Sequence, residues 1–270
     1  LLPAELSVSM HRQLIDCPYK FFAACGLKLK PREAVREAFE KAEYGSLVHQ
    51  TLEVFHKGCP GYPAAFSVPV TVDNRTQAIS ALENISDAVF ARELEDNFEH
   101  RAWLRRWKTL LPDYIDWQIT QQQSWSFQDA ERQSEFTLMP GRTLKGRLDR
   151  IDSNATGLAI LDYKTGGIPR QDEVNSGEEV QLPSYALLTE SLPQRVEYLQ
   201  VDNSISNRVC LEGEALAELT DGVKQRLVTV LTELESGAAL PAWGDMKTCG
   251  YCEMSGLCRK QAWLEAAHDN

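Results

Sequence analysis

The sequence predicts an α/β domain with a small mixed central sheet flanked by helices, preceded by an N-terminal helical region. Three observations carry this. Apolar residues recur at helical spacing through much of residues 32–122. The pattern switches to strict alternation near Trp125 and leads into a hairpin over 143–164. After the hairpin the order is helix, strand, strand, helix.

Taken in order, Ser7-Val8-Ser9-Met10 reads as a helix start, and Phe21-Phe22 as core. Cys17 precedes Pro18, where a helix ends or restarts. Ala34 to Phe55 look helical, with Gly45-Ser46 as a break and Ser46 as the cap of a second helix, so that His49 lies in its first turn. Residues 58–75 are rich in Gly and Pro and read as loop. Residues 76–122 form a long charged helical region that Pro112 is expected to interrupt. Residues 125–139 are expected to be the first strand. Gly146–Asp152 and Leu158–Lys164 follow as two strands joined by a polar turn. Glu178 to Glu190 reads as a helix with Gln181 and Tyr185 one turn apart on one face. Val196–Val201 and Arg208–Leu211 read as strands, Glu214–Glu235 as a helix. The tail from 240 to 258 is loop with three cysteines, closed by a short helix to His268.

A chain of 270 residues can bury a sizeable core. No apolar run is long enough to span a bilayer, and no basic-then-apolar leader opens the chain, so the expectation is a cytoplasmic protein. The chain does not begin with Met, which fits a piece cut from a longer protein. The formal charge of −11 counts against tight nucleic-acid binding by this chain alone. Charge position matters more than the sum. Lys20, Lys28, Lys30 and Arg32 form one basic cluster, and Arg101, Arg105, Arg106 and Lys108 surround Trp103 and Trp107. The second group fits a strand-binding surface less well than an amphipathic helix with its tryptophans in the core, since Trp103 and Trp107 are one turn apart.

The hairpin carries the chemistry. Each strand has a carboxylate near its end, Asp149 and Asp162, and Lys164 falls two residues after Asp162. Side chains alternate along a strand, so Asp162 and Lys164 share a face. Two acids can hold a divalent ion, and a lysine can steady an attacking water or the developing negative charge. Alone, D-x-K is common by chance and reads as surface charge at a strand end. Its neighbours raise its weight. Leu158 to Leu161 should be buried, Gly146 allows close backbone approach, and Gln181 and Tyr185 follow on the next helix.

These motifs carry a resemblance. GSLVH (45–49), GRLDRID (146–152), LAILDYKTG (158–166) and QLPSYA (181–186), in that order, resemble the RecB-like branch of the PD-(D/E)XK nuclease superfamily. The resemblance implies a restriction-endonuclease-like core and a single nuclease domain over 1–270. Its parts would be a mostly helical stretch (1–124), an α/β catalytic core (125–236) and a cysteine-rich tail (237–270). It implies a Mg²⁺ or Mn²⁺ site with His49, Asp149 and Asp162 as side-chain ligands and the carbonyl of Tyr163 completing the set. Lys164 would be the catalytic lysine, and Gln181 and Tyr185 would position the lysine or the substrate phosphate. Asp152 is at most a supporting group. An imidazole ligand favours Mn²⁺ more than an all-oxygen site would.

Of the seven cysteines, Cys249, Cys252 and Cys258 cluster as C-x₂-C-x₅-C. Three such thiolates need a fourth, and zinc or an iron–sulfur cluster would satisfy four. Spacing alone favours zinc. A lone cysteine near the N-terminus with a distant C-x₂-C-x₅-C is, however, similar to the iron–sulfur nucleases of the AddB type, which implies a [4Fe–4S] cluster on Cys17, Cys249, Cys252 and Cys258. Cys25 is the rival fourth ligand; Cys59 and Cys210 read as isolated thiols. Such a cluster would close a loop of more than two hundred residues.

The resemblance therefore implies a DNA nuclease, the exonuclease part of a helicase–nuclease acting in double-strand-break repair and recombination. No G-x-x-x-x-G-K-[ST] motif is present, so any helicase lies elsewhere on a longer chain or on a partner. A freestanding CRISPR-adaptation nuclease and a non-catalytic DNA-end-binding module are the alternatives.

Overall fold

The computed structural model describes residues 2–30, 41–94 and 98–260. Arg32, the helical positions Ala34 to Phe39 and the closing helix to His268 lie outside the described residues. Among the described residues, six strands form one mixed sheet: β1 (Glu5–Ser7), β2 (Ser126–Met139), β3 (Arg142–Ser153), β4 (Leu158–Lys164), β5 (Arg195–Val201) and β6 (Ile205–Glu212). The path is β1-β3-β4-β5-β6, with β2 on the other edge of β3. β4 and β5 run parallel; β2–β3, β3–β4 and β5–β6 are antiparallel.

β1 is a strand that the sequence reading did not anticipate. Its three residues pair in parallel with Thr143–Lys145, too short a run to show alternation. The pairing has a consequence. One edge of β3 is covered by β1 at Thr143–Lys145 and by β4 at Arg150–Ser153. Gly146–Asp149 lie between these two ladders.

Helices cover both faces. α3 (Lys41–His56), α4 (Arg75–Leu94) and α5 (Phe98–Gln121) enclose one core with Leu161, Tyr163 and Leu199 of the sheet. α1 (Val8–Asp16), α2 (Pro18–Phe21), α7 (Gln181–Leu187) and α8 (Gly213–Glu235) enclose the other with Leu148, Ile151 and Ile160. Phe21, Phe55 and Phe90 are fully buried, each contributing on the order of 1.5–3 kcal/mol of burial free energy. Short helices α6 (Gln171–Asn175), α9 (Met246–Gly250) and α10 (Ser255–Cys258) complete the described chain. Among the described residues no helix is long and apolar enough to cross a membrane.

Several boundaries differ from the sequence reading. α3 runs unbroken through Gly45-Ser46, and Ser46 Oγ donates back to Ala42 O at 3.1 Å instead of capping a new helix. His49 is therefore mid-helix. Gly45 is present for close approach: a Cβ there would lie 2.8 Å from Thr165 Oγ1, in the turn after β4. Residues 76–122 hold two antiparallel helices, tied by Trp107 Nε1–H to Ser86 Oγ (2.9 Å) and by Lys108 to Glu83 and Asp87. Pro112 sits inside α5 without ending it, because Leu110, Leu111, Tyr114 and Ile115 are all buried and hold both halves in register. Trp107 is core and Lys108 is paired with α4, while Arg101 and Arg105 stay exposed near the half-buried Trp103.

Gly146 lies where α1 and α7 press on β3. A Cβ would come within 2.4 Å of Leu188 Cδ1 and 3.1 Å of Val8 Cγ2. Gly146→Val should cost about 1–3 kcal/mol by overpacking, read as a lower urea midpoint at unchanged m-value; an unchanged midpoint would show that the close approach is not limiting.

His11 is fully buried between α1 and α7, with Nδ1 3.0 Å from Ser184 Oγ. Burial, aided by Arg226, pushes its pKa down to about 3. The unfolded chain takes up that proton near pH 6.5, while the native state refuses it until about pH 3. His11 thus adds stability that is complete above the unfolded value and is lost as pH falls through this window, at no more than about 1.4 kcal/mol per pH unit. His11→Gln should flatten melting temperature against pH between 6.5 and 3; a slope identical to that of the unaltered chain would refute this.

Candidate functional site

The β3–β4 ladder closes at Arg150–Leu161. One step beyond, the Tyr163 N–H donates instead to the Asp149 carboxylate, 2.9 Å from Oδ2. A side chain replaces the ladder, and a cavity of about 530 Å³ opens there. Its lining includes His49, Asp149, Asp162, Lys164, Gln181 and Tyr185. The structure thus brings together every residue expected at the hairpin site.

Asp162 and Lys164 do share a face. Lys164 Nζ lies 2.6 Å from Asp162 Oδ2 and donates to Gln181 Oε1 at 2.9 Å. The Gln181 amide donates to Asp162 Oδ1 (2.9 Å) and to Tyr185 Oη (2.8 Å). One amide therefore sets the spacing of acid and lysine. The Lys164 ammonium also sits 4.9 Å from the centre of the Tyr198 ring.

His49 reaches in from α3. Its Nε2 is 3.0 Å from Tyr163 O, and its Nδ1 is 3.5 Å from Asp149 Oδ2. Burial opposes charging this ring, but Asp149, Glu131 and Asp162 outweigh it and hold the pKa well above the ordinary value. For Asp149, burial works against ionisation, yet His49, Lys164 and the Tyr163 N–H keep its pKa low. Asp162 goes the other way. Burial and the Asp149 charge raise it to about 6, against Lys164 and His49. Two buried acids that repel one another are a natural seat for a divalent cation, which relieves the repulsion. Asp162 Oδ2 is buried with the Lys164 ammonium 2.6 Å away, and a carboxylate oxygen has a second lone pair to offer such an ion. The donor set fits Mg²⁺ or Mn²⁺.

Glu131 was not anticipated. It lies on β2 between the pairs Ala130–Arg150 and Arg132–Leu148, across from Asp149. His49, Glu131 and Asp149 each offer a ligand atom within 4.8 Å of the others. No signal in the sequence marks it, because the register that sets Glu131 against Asp149 is a tertiary fact. Asp152 is not at this site. It pairs with Arg150 at 2.7 Å, both fully buried under α5.

The ends of the described chain meet elsewhere. Cys17, Cys249, Cys252 and Cys258 line one cavity of about 460 Å³. All four are free thiols. Tyr19 N–H donates to Pro241 O at 3.2 Å, and Lys260 Nζ to Gly244 O at 2.7 Å. Gly244 is tight against this corner: a Cβ there would lie 3.3 Å from Cys249 Sγ and 3.5 Å from Cys17 Cβ. Burial and the neighbouring thiols push the Cys249 thiol up, against Lys260. Four convergent cysteines are a donor set for zinc or an iron–sulfur cluster. Cys25 is apart, its Sγ 3.5 Å from Gln13 Oε1.

Comparison with known proteins follows the same lines. The family model of the PD-(D/E)XK nuclease superfamily matches residues 5–259. An uncharacterised protein of Rickettsia felis (strain ATCC VR-1525 / URRWXCal2) is 28% identical over 213 residues, 77% of this chain and 24% of that protein. An ATP-dependent helicase/deoxyribonuclease subunit of Clostridium perfringens (strain SM101 / Type A) is 25% identical over 232 residues, 74% of this chain and 20% of that protein. The chain thus spans about a quarter or less of the length of these curated relatives. The crystal structure of SSO0001 is similar at a TM-score of 0.36 and 13% identity, covering 96% of this chain and 87% of that one. With a match that runs from β1 through the last cysteine, the chain belongs to the PD-(D/E)XK nuclease superfamily.

Proposed function

We propose that this chain is a divalent-metal-dependent DNA nuclease domain that hydrolyses phosphodiester bonds. The observation that carries this reading is the joining of Asp162 and Lys164 through Gln181, beside Asp149, in one open cavity. Asp149, Asp162 and the second lone pair of the Tyr163 carbonyl would hold Mg²⁺ or Mn²⁺, with His49 in reach. When bound, the ion would lower the pKa of a coordinated water and offset charge building on the phosphate. Lys164 supplies a fixed positive charge beside Asp162, where it can orient the attacking water or meet the developing negative charge. Gln181 keeps that charge from drifting, and Tyr185 braces Gln181 from the next turn. Burial, with Asp162 and Asp149 adding to it, raises the Tyr185 pKa, so its hydroxyl stays neutral and serves as a hydrogen-bonding brace, not a base.

The reading extends to the whole protein. The similarity to a helicase/deoxyribonuclease component, of which this chain spans a fifth, supports a nuclease segment acting with a helicase on DNA ends in break repair. We infer that Cys17, Cys249, Cys252 and Cys258 hold a [4Fe–4S] cluster that staples the N-terminal helices to the tail. The lining of one cavity by all four cysteines, drawn from both ends of the described chain, supports a shared group there. Ligand-binding energy there would be folding energy.

In a Mn²⁺-dependent assay on end-labelled DNA, Asp162→Asn and Lys164→Ala should each lower cleavage by about 10²-fold or more. Cleavage equal to the unaltered chain in both variants would end the catalytic assignment. Cys252→Ala should give a colourless protein with a lower melting temperature. Retained visible absorption and melting temperature would refute the staple, and elemental analysis showing zinc in place of iron would refute the cluster.

A further inference from the structure

The cavity that holds Asp149 and Asp162 is lined by more cations than its acids engage. Lys164 is committed to Asp162 and Gln181, and Arg12 is shared between Asp16 and Glu179. Lys145 and Arg147 line the same cavity from β3, at and beside the stretch that lies between the β1 and β4 ladders. Arg147 stands two residues before Asp149, about 7 Å along the strand. A second cavity of about 530 Å³ adjoins the first, and His49, Arg147 and Thr165 line both. Arg147 therefore sits on the ridge between the two, where a strand leaving the Asp149–Asp162 cavity on this side must pass.

The way Arg147 is held is unusual for a surface arginine. Its Nε lies 2.6 Å from Oε2 of Glu131, whose side chain is 6% exposed while that of Arg147 is 56% exposed. Glu131 has φ +51°, a left-handed backbone that non-glycine residues rarely adopt, and the β2–β3 pairs run from Ala130–Arg150 to Arg132–Leu148 across it. Strain of this kind persists only where the surroundings hold it in place. His49 Nδ1 faces the other oxygen, 3.5 Å from Oε1. With His49 on one oxygen and Arg147 on the other, the carboxylate is fixed in direction. The contact through Nε turns the outer nitrogens of the guanidinium toward solvent. A guanidinium offers N–H donors in a rigid fork that matches phosphate, and one already pinned loses less side-chain freedom on gripping it. Lys145 is looser. Its Nζ lies 2.8 Å from Glu5 and 3.5 Å from Glu135, both more than half exposed. Surface pairs of this kind contribute little and exchange readily for another anion.

We propose that Arg147, positioned by Glu131, binds the substrate-strand phosphate next to the scissile one, and that Lys145 meets the phosphate beyond it. The inference rests on the reading of this chain as a nuclease. Successive phosphates of one strand rise about 3.4 Å each along the axis. A strand seated at Asp149 and Asp162 thus carries its neighbouring phosphates past a side chain rooted about 7 Å away. Both cations lie to one side of the scissile position, so they fix the direction in which the strand leaves it. They also answer a problem of charge. Asp149, Asp162 and Glu179 repel a phosphate backbone, and the formal charge of the chain is −11. A short row of cations on β3 supplies local attraction that needs no metal ion.

The test is fluorescence anisotropy of a short fluorescein-labelled DNA single strand with the full chain in EDTA, across a series of salt concentrations, with melting temperature as a check on folding. Arg147→Gln and Lys145→Gln should each weaken binding about threefold or more and make the slope of log K against log salt shallower by about 0.7. Arg147→Lys should keep the slope and still bind less tightly, because it retains the charge and loses the fork. Glu131→Gln removes a negative charge, which by charge alone would tighten binding. The proposal requires weaker binding instead, with no further loss when Glu131→Gln is added to Arg147→Gln. In Mn²⁺-dependent cleavage Arg147→Gln should raise KM by a larger factor than it lowers kcat. Unchanged affinity and slope in Arg147→Gln, or tighter binding in Glu131→Gln, overturns the proposal, while retained cleavage leaves the nuclease reading standing. A chain that neither binds the strand nor cuts DNA with Mn²⁺ overturns both.

Discussion

The hydrogen bond from the Tyr163 N–H to Asp149 Oδ2 is the constraint on which the site depends. A buried amide without an acceptor costs a large fraction of a protein's net stability. Here the β3–β4 ladder has already ended, at Arg150–Leu161. A carboxylate takes the amide instead, and this does two things at once. It adds to the larger effect of His49 in keeping Asp149 ionised against the cost of burial, and it leaves the Tyr163 carbonyl for the His49 imidazole at 3.0 Å. Asp162, one residue earlier on β4, is driven up toward protonation by burial and by the Asp149 charge. The opposite behaviour of two neighbouring acids thus follows from their partners: His49, Lys164 and the Tyr163 N–H hold Asp149 low, while the Asp149 charge adds to burial in raising Asp162.

Behind this corner lies a buried polar network that orients it. Arg150 is fully buried between Asp152, Gln118 and His56, with Trp117 and Phe127 near its guanidinium. Tyr114 Oη links this group to Tyr163 Oη at 3.3 Å. Burial, with Arg150 adding to it, holds His56 well below its usual pKa, so the network carries one positive charge and not two. Buried ion pairs add little net stability, but breaking one is costly, which makes them good at specifying a single arrangement. In this fold they set α3 and α5 on the sheet and so place His49 against Tyr163.

The cysteine corner and the His49–Asp162 cavity share one helix. His11 docks α1 on α7. Arg12 pairs with both Asp16 and Glu179, and Glu179 Oε1 accepts the Gln181 N–H at 2.9 Å. Asp16 precedes Cys17, and Gln181 holds Asp162 and Lys164. The tail that carries Cys249, Cys252 and Cys258 therefore bears on the same helix that borders the cavity.

Much of this was legible in the residues themselves. The alternation of β4, its carboxylate and lysine on one face, and Gln181 and Tyr185 a helical turn apart are properties of short stretches, fixed by the periods of strand and helix. The close spacing of the three late cysteines is likewise local. What only the tertiary structure decided depends on register and on contacts far apart in the chain. Glu131 is one of many polar residues on β2 until β2 is set against β3. The three residues of β1 show no pattern until they pair with Thr143–Lys145. Gly45 looks like a helix breaker until Thr165 is seen pressed against it. Local periodicity determined which side chains lie together along each element. The meeting of His49, Glu131 and Asp149 required the sheet, because no rule of sequence spacing joins a helix to two strands.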